Sequence, residues 1–211
     1  ELDVKGTRMP DSNKPKPDAA ERGGRSVTPG NYKVVIAYNN YKDSTQVEVK
    51  LDPNISMTLS EMTEKAALID KFNALAENAT AKTDRLKDAK ETADLILNQL
   101  KSMEKSAVNN SLKQNADSVK SKINQLILRI NPREDIQGFS DDPNLVTEQL
   151  STSRRFLQDT TYPVTETQKR ALAVTERNIK PVMDEVDAFF SKEWEAFKKA
   201  VTDSNFSLFK N

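Results

Sequence analysis

"QVEVKLDPNISMTLSEMTEKAALIDKF", residues 46–72, changes its hydrophobic period partway along, and that change decides the fold. Up to Leu51 the chain alternates, with Thr45, Val47, Val49 and Leu51 on one side and Ser44, Gln46, Glu48 and Lys50 on the other. This is the period-2 signature of a strand with one buried face. From Thr58 onward the spacing becomes helical: apolar or small residues recur at 69, 72, 76, 79, 83, 86, 93, 97 and 100. Thr58 and Glu61 make a capping box at the changeover, and Met57 with Met62 fit a hydrophobic staple.

Upstream, Tyr32, Val34, Ile36 and Tyr38 alternate with Lys33, Val35 and Ala37, after a Pro29-Gly30 turn. Asn39-Asn40 tolerates the left-handed conformation of a tight reversal, so the two alternating runs read as one β-hairpin. Its apolar face requires a core that two strands cannot supply alone. Four of the five glycines and four of the nine prolines lie in the first 30 residues. That stretch reads as a long turn-rich connection, with Gly23-Gly24 as flexible loop, leading from "ELDV", a strand at the start, to the hairpin.

Downstream the pattern is helical throughout. The first helix is expected to reach about Ser106, "VNNS" (108–111) to break it, and a second helix to carry Leu112, Ala116, Val119, Ile123, Leu126 and Ile130 on one stripe. Asn131-Pro132 ends that helix. Asp142 as N-cap and Pro143 at the first position open a short third helix through Leu157. A last helix, boxed by Thr165 and Gln168, carries Leu172, Ile179, Val182, Val186, Phe189, Phe190, Trp194, Phe197 and Val201, with Pro181 inside it. The expected fold is mainly α: an elongated antiparallel bundle of about four helices (residues 54–211), preceded by an extended loop and hairpin (residues 1–53). In an up-down-up-down arrangement the aromatic cluster of the last helix would sit beside Leu68, Ile69 and Phe72, under the hairpin face.

Composition removes whole classes of chemistry. The 211 residues include neither cysteine nor histidine, which excludes thiolate nucleophiles, disulfides, His-based triads and the usual structural zinc sets. Lys and Arg total 32, as do Asp and Glu. The balance is also local, with 9 basic and 8 acidic residues in 1–53. No block dominates the attraction of a phosphate backbone, so nucleic acid is not an expected partner. No apolar run reaches the length of a membrane span. No phosphate-binding glycine motif or nucleophile elbow occurs. The loop acids Glu134, Asp135, Asp141 and Asp142 lack calcium-loop spacing and read as solvated, so no metal and no cofactor is expected. The acidic residues of the helices mostly alternate with lysine on wet faces, which argues against a paired-carboxylate hydrolase site.

Residues 3–54 resemble the region just after the propeller in secreted bacterial sortilin-like, BNR-repeat β-propeller proteins, often labelled glycosyl hydrolases. The matching positions are Pro29, Gly30, Tyr32 and Val34 in one strand, then Val47, Val49, Asp52 and Pro53, with Asn54 where arginine is usual. "PVTETQKRALA" and "FFSKEWEAFKKAV" are similar to the family's terminal helix. The resemblance implies that the hairpin is the remnant of a small β-sandwich, that the chain is a piece of a secreted or periplasmic protein, and that its main partner is the upstream propeller and sandwich of the same polypeptide. It brings no catalytic residue. The expected function is a non-catalytic C-terminal structural or docking module. The alternatives are a protein-binding helical module engaging an envelope partner and, last, a glycan-active enzyme. Thr45, Val47, Val49, Leu51, Phe190 and Trp194 are the candidate interaction residues, and self-association through the hairpin is a further candidate contact.

Overall fold

The computed structural model describes residues 2–11, 13–20, 22–101, 103, 107–132, 142–158, 161–204 and 206. Two short strands, β1 (Asp3–Lys5) and β2 (Gly23–Ser26), form one antiparallel sheet, and β3 (Gly30–Tyr38) and β4 (Tyr41–Val49) form another. The helices are α1 (Leu59–Lys101), α2 (Ala107–Ile130), α3 (Val146–Leu157) and α4 (Glu166–Phe189). The chain leaves α4 through a π-helical turn, Phe190–Trp194, directly into α5 (Glu195–Asp203). The mainly α bundle behind a hairpin is therefore as the hydrophobic periods require.

Both capping boxes are present. Thr58 N–H donates to the Glu61 carboxylate at 2.7 Å and Glu61 N–H to the Thr58 hydroxyl at 3.3 Å. Thr165 and Gln168 repeat the reciprocal arrangement at 3.0 and 3.3 Å. The helix boundaries between them differ from the sequence reading. Helix α1 stops at Lys101, and "VNNS" lies inside α2 rather than breaking the chain. Asp142 does not cap α3. Its carboxylate accepts from Asn144 N–H at 2.9 Å, Leu145 N–H donates to its carbonyl, and the helix begins only at Val146. Leu145 and Val146 are both buried, so the core takes these apolar residues before helical geometry begins. The loop 133–141, with Glu134, Asp135 and Asp141, lies outside the described residues.

The chief departure is the polarity of the bundle. Lys169 pairs with Glu64, Glu176 with Lys71 and Asp187 with Lys82, at 2.8, 2.7 and 2.5 Å. In each case the α4 residue lies 105 positions after its α1 partner, so α1 and α4 run parallel. The reason is α3. At about 18 Å it is half the length of α2, at about 36 Å, and neither can span the ~65 Å of α1. They stack end to end. The Thr147 hydroxyl donates to the Ile130 carbonyl, joining the start of α3 to the end of α2 at 2.9 Å. Helix α3 then descends against α4, with Gln149 at Asn178, Ser153 at Thr175 and the Phe156 carbonyl accepting from Gln168. The bundle is thus three columns wide at every level: α1, then α2 with α3, then α4 with α5.

This overturns two expectations. The aromatic cluster lies away from Leu68, Ile69 and Phe72, towards the C-terminal half of α1, where the Arg85 guanidinium covers the Phe190 ring at 3.8 Å. The lower half of the bundle is completed by α3 and not by the hairpin. The N-terminal stretch is part of the core as well. Met9 and Pro10 are buried, the Thr80 hydroxyl donates to the Arg8 carbonyl at 2.9 Å, and the Asn131 amide to the Pro10 carbonyl at 3.3 Å. Arg8 and Lys14 pair with Asp84 and Asp88 of α1. Asp3–Lys5 is a strand as expected and pairs with Gly23–Ser26, and Gly23-Gly24 is strand rather than loose loop. A Cβ at Gly24 would meet the Val4 carbonyl at 2.8 Å, so this close approach needs glycine.

The core runs the length of the columns. Small residues Ala76, Ala79, Ala89 and Ala93 let neighbours approach α1 closely, and Phe189, 1% exposed, is the largest fully buried side chain among the described residues. Its ring centroid lies 6.4 Å from that of Trp194, which is itself only partly buried. Phe189→Ala is therefore expected to cost about 3–5 kcal/mol, measured by chemical denaturation followed through the single tryptophan. Trp194→Ala should cost less, because part of that ring already faces water.

Hydrogen bonds from Thr58 hold the Glu61 carboxyl below its ordinary value. A depressed folded-state pKa stabilises above the unfolded value, about 4.3, and is lost as pH falls through the folded one. Amide protection in the first turn of α1, corrected for the intrinsic pH dependence of exchange, should fall on acidification through that window. Glu61→Gln, which can still complete the box, should abolish the pH dependence while leaving the turn formed at neutral pH.

Candidate functional site

Among the described residues, the three most exposed large apolar side chains, Ile36, Tyr38 and Tyr41, all lie on the hairpin. Its register runs from Gly30 opposite Val49 to Tyr38 opposite Tyr41, across the two-residue reversal Asn39-Asn40. Asn39 takes φ 50°, which asparagine accepts with less strain than most residues. Residues directly opposite share a face. Tyr32, Val34, Ile36 and Tyr38 of β3 therefore lie beside Val47, Thr45, Asp43 and Tyr41 of β4. The other face holds Asn31, Lys33, Val35 and Ala37 with Glu48, Gln46, Ser44 and Lys42.

The apolar face is divided along its length. At the root, Tyr32, Val34, Val47 and Val49 are half-buried. There the Tyr32 hydroxyl donates back to the Thr28 carbonyl, four residues upstream, at 2.5 Å. Towards the tip nothing covers the face: Ile36, Tyr38 and Tyr41 are 70%, 75% and 80% exposed. Neither strand packs broadly on a helix. The hairpin is instead rooted beside the first turns of α1. A cleft of about 420 Å³ there is lined by Val27, Val49, Ile55, Met57, Met62 and Ile69, among others. Just below, Arg25 of β2 clasps Asp70 of α1 through two bonds of 2.9 and 2.7 Å, and that carboxylate raises the guanidinium pKa further.

The candidate residues read from the sequence fall into two separate places. Thr45, Val47 and Val49 are on the hairpin face, while Leu51 lies just past the end of β4 and is exposed. Phe190 is buried and Trp194 partly buried in the aromatic layer of the bundle, so they are packing residues remote from the hairpin root. The exposed set Ile36, Tyr38 and Tyr41 was missing from that list. Its signal was in the alternation of residues 32–38: the cross-strand partners of a core-seeking strand share its face. Asp142 is engaged in its own turn, and among the described residues no three or more acidic side chains cluster as a metal site would require. No described helix is long and apolar enough to cross a membrane.

The architecture is that of an α-helical bundle carrying a projecting β-hairpin. No protein-family model, no curated protein and no solved structure matches the chain.

Tyr32→Phe removes the hydroxyl that ties β3 to Thr28. We expect a loss of about 0.5–1.5 kcal/mol, confined to the hairpin. Amide exchange should quicken across residues 30–49 and stay unchanged in α1.

Proposed function

We propose that this chain is a non-catalytic structural and docking module of a larger secreted or periplasmic β-propeller protein, in which the bundle is the rigid support and the hairpin face is the seat for a second β-sheet. The observation that carries the reading is the hairpin's apolar face, half-buried at its root beside the first turns of α1 and bare at its tip. A two-stranded sheet with such a face is half of a sandwich layer. The Tyr32 bond supports the same reading, since a tyrosine hydroxyl bonded to backbone a few residues upstream is a recurring feature of Greek-key sandwiches. The resemblance of residues 3–54 supplies the identity of the partner, the sandwich and propeller of the same polypeptide. A chain without imidazole or thiol, whose helix carboxylates are largely committed to surface ion pairs, offers little for catalysis.

The test is chemical nitration of Tyr38 and Tyr41 in this chain alone and in the polypeptide carrying its upstream region. Both tyrosines should react readily in the isolated chain and be protected at least about tenfold in the longer protein, as burial in a packed sheet layer requires. Equal reactivity in the two would overturn the reading and favour a bundle that binds a separate envelope protein.

A further inference from the structure

The hairpin's face and its edge are separate surfaces, and the edge carries information of its own. Tyr38 and Tyr41 flank a two-residue reversal and so form a hydrogen-bonded pair, after which bonded and non-bonded pairs alternate. On β4 the residues whose N–H and C=O point away from β3 are therefore Lys42, Ser44, Gln46 and Glu48. Among the described residues the sheet has only two strands, which leaves this edge without a ladder partner there. Ser44 N–H turns instead to its neighbour's carboxylate, Asp43, at 2.7 Å.

From this we infer that β4 pairs antiparallel with β4 of a second copy of the chain, about a two-fold axis at Thr45. Three features choose that partner and register. With Thr45 opposite itself, Lys42 faces the partner's Glu48 and Ser44 faces the partner's Gln46, and all are residues with outward backbone groups, so about eight ladder bonds can form. The same register sets a lysine opposite a glutamate twice, on the polar face. On the apolar face, Tyr41 comes beside the partner's Val49, a residue that lines the root cleft. The β3 edge offers no such match: self-pairing about Val34 puts Lys33 opposite the partner's Val35, with no acid in reach. The local Ser44–Asp43 bond is exchanged for a ladder bond, and Asp43 facing the partner's Val47, repeated by the two-fold axis, is the mismatch in this register. An isologous two-fold contact closes on itself, giving a dimer and not a fibre. The product is a four-stranded sheet whose two apolar faces lie side by side. The pairing uses the edge and leaves the face free, so it can fail without the docking function failing, and the reverse.

Sedimentation equilibrium of the chain over a concentration series tests it, with circular dichroism confirming the fold of each variant. The native chain should show a monomer–dimer equilibrium. Lys42→Glu should weaken it roughly tenfold or more, because both cross-strand pairs become repulsive. The double variant Lys42→Glu with Glu48→Lys should restore it, and Lys33→Glu on the other edge should leave it unchanged. Asp43→Val, which removes both the mismatch and the local cap on Ser44, should strengthen it. A native chain that stays monomeric throughout would overturn the proposal, as would a dimer indifferent to Lys42→Glu or a double variant that fails to recover.

Discussion

The hydroxyl of Thr147 on the carbonyl of Ile130 holds the place on which the rest of the bundle depends. A helix end leaves its last carbonyls without partners inside the helix, and here the next helix supplies a donor. That contact sets α3 in line below α2, so the two short helices together make one column along α1. Asn131 follows directly, and its amide reaches the Pro10 carbonyl, bringing the N-terminal stretch across the same joint. Met9 and Pro10 are buried there. A gap between two stacked helices would otherwise expose core; the segment before the hairpin closes it.

From that stacking follows the polarity of everything after it. With α2 and α3 descending together, α4 must ascend, parallel to α1, and its ion pairs to α1 keep one constant offset. The aromatic residues are carried away from the hairpin as a result. Phe189, Phe190, Trp194 and Phe197 pack on one another with ring centroids 5.1 to 6.4 Å apart. The π-helical turn lies among them. A turn wound wider than 3.6 residues shifts the side-chain phase, and Phe189, Phe190 and Phe197 are all buried across it. Arg85 closes the layer from outside by lying over Phe190, an arrangement in which a cation meets the negative face of a ring.

The hairpin is then left with a face that the bundle has no need of. Its root is held by the Tyr32–Thr28 bond and by apolar residues ahead of α1, and β2 is clasped to the same helix by Arg25 and Asp70. Its tip projects into solvent with three large apolar side chains. The paired strands suit the docking role proposed above: they are ordered before a partner arrives, so little conformational entropy is lost on binding. The hairpin thus presents one polar face, with Lys33, Lys42 and Glu48, and one apolar face that is covered only at its root.

Local order was legible in the sequence. The capping boxes at Thr58 and Thr165, the reversal at Asn39, the alternation of both strands and the buried stripe of α2 all follow from interactions spanning a few residues, which the sequence encodes directly. What the sequence did not determine was which way the fourth helix runs, where the aromatic layer lies, or that Met9 and Pro10 belong to the core. Those depend on whether α3 packs beside α2 or in line with it, and both choices bury the same stripe of Val146, Leu150 and Leu157. Helical periodicity says that a face is buried, not against what. The choice was made by contacts between residues far apart in the chain, Thr147 with Ile130, Asn131 with Pro10 and Lys82 with Asp187, and it is these that decide that the apolar face of the hairpin stays open.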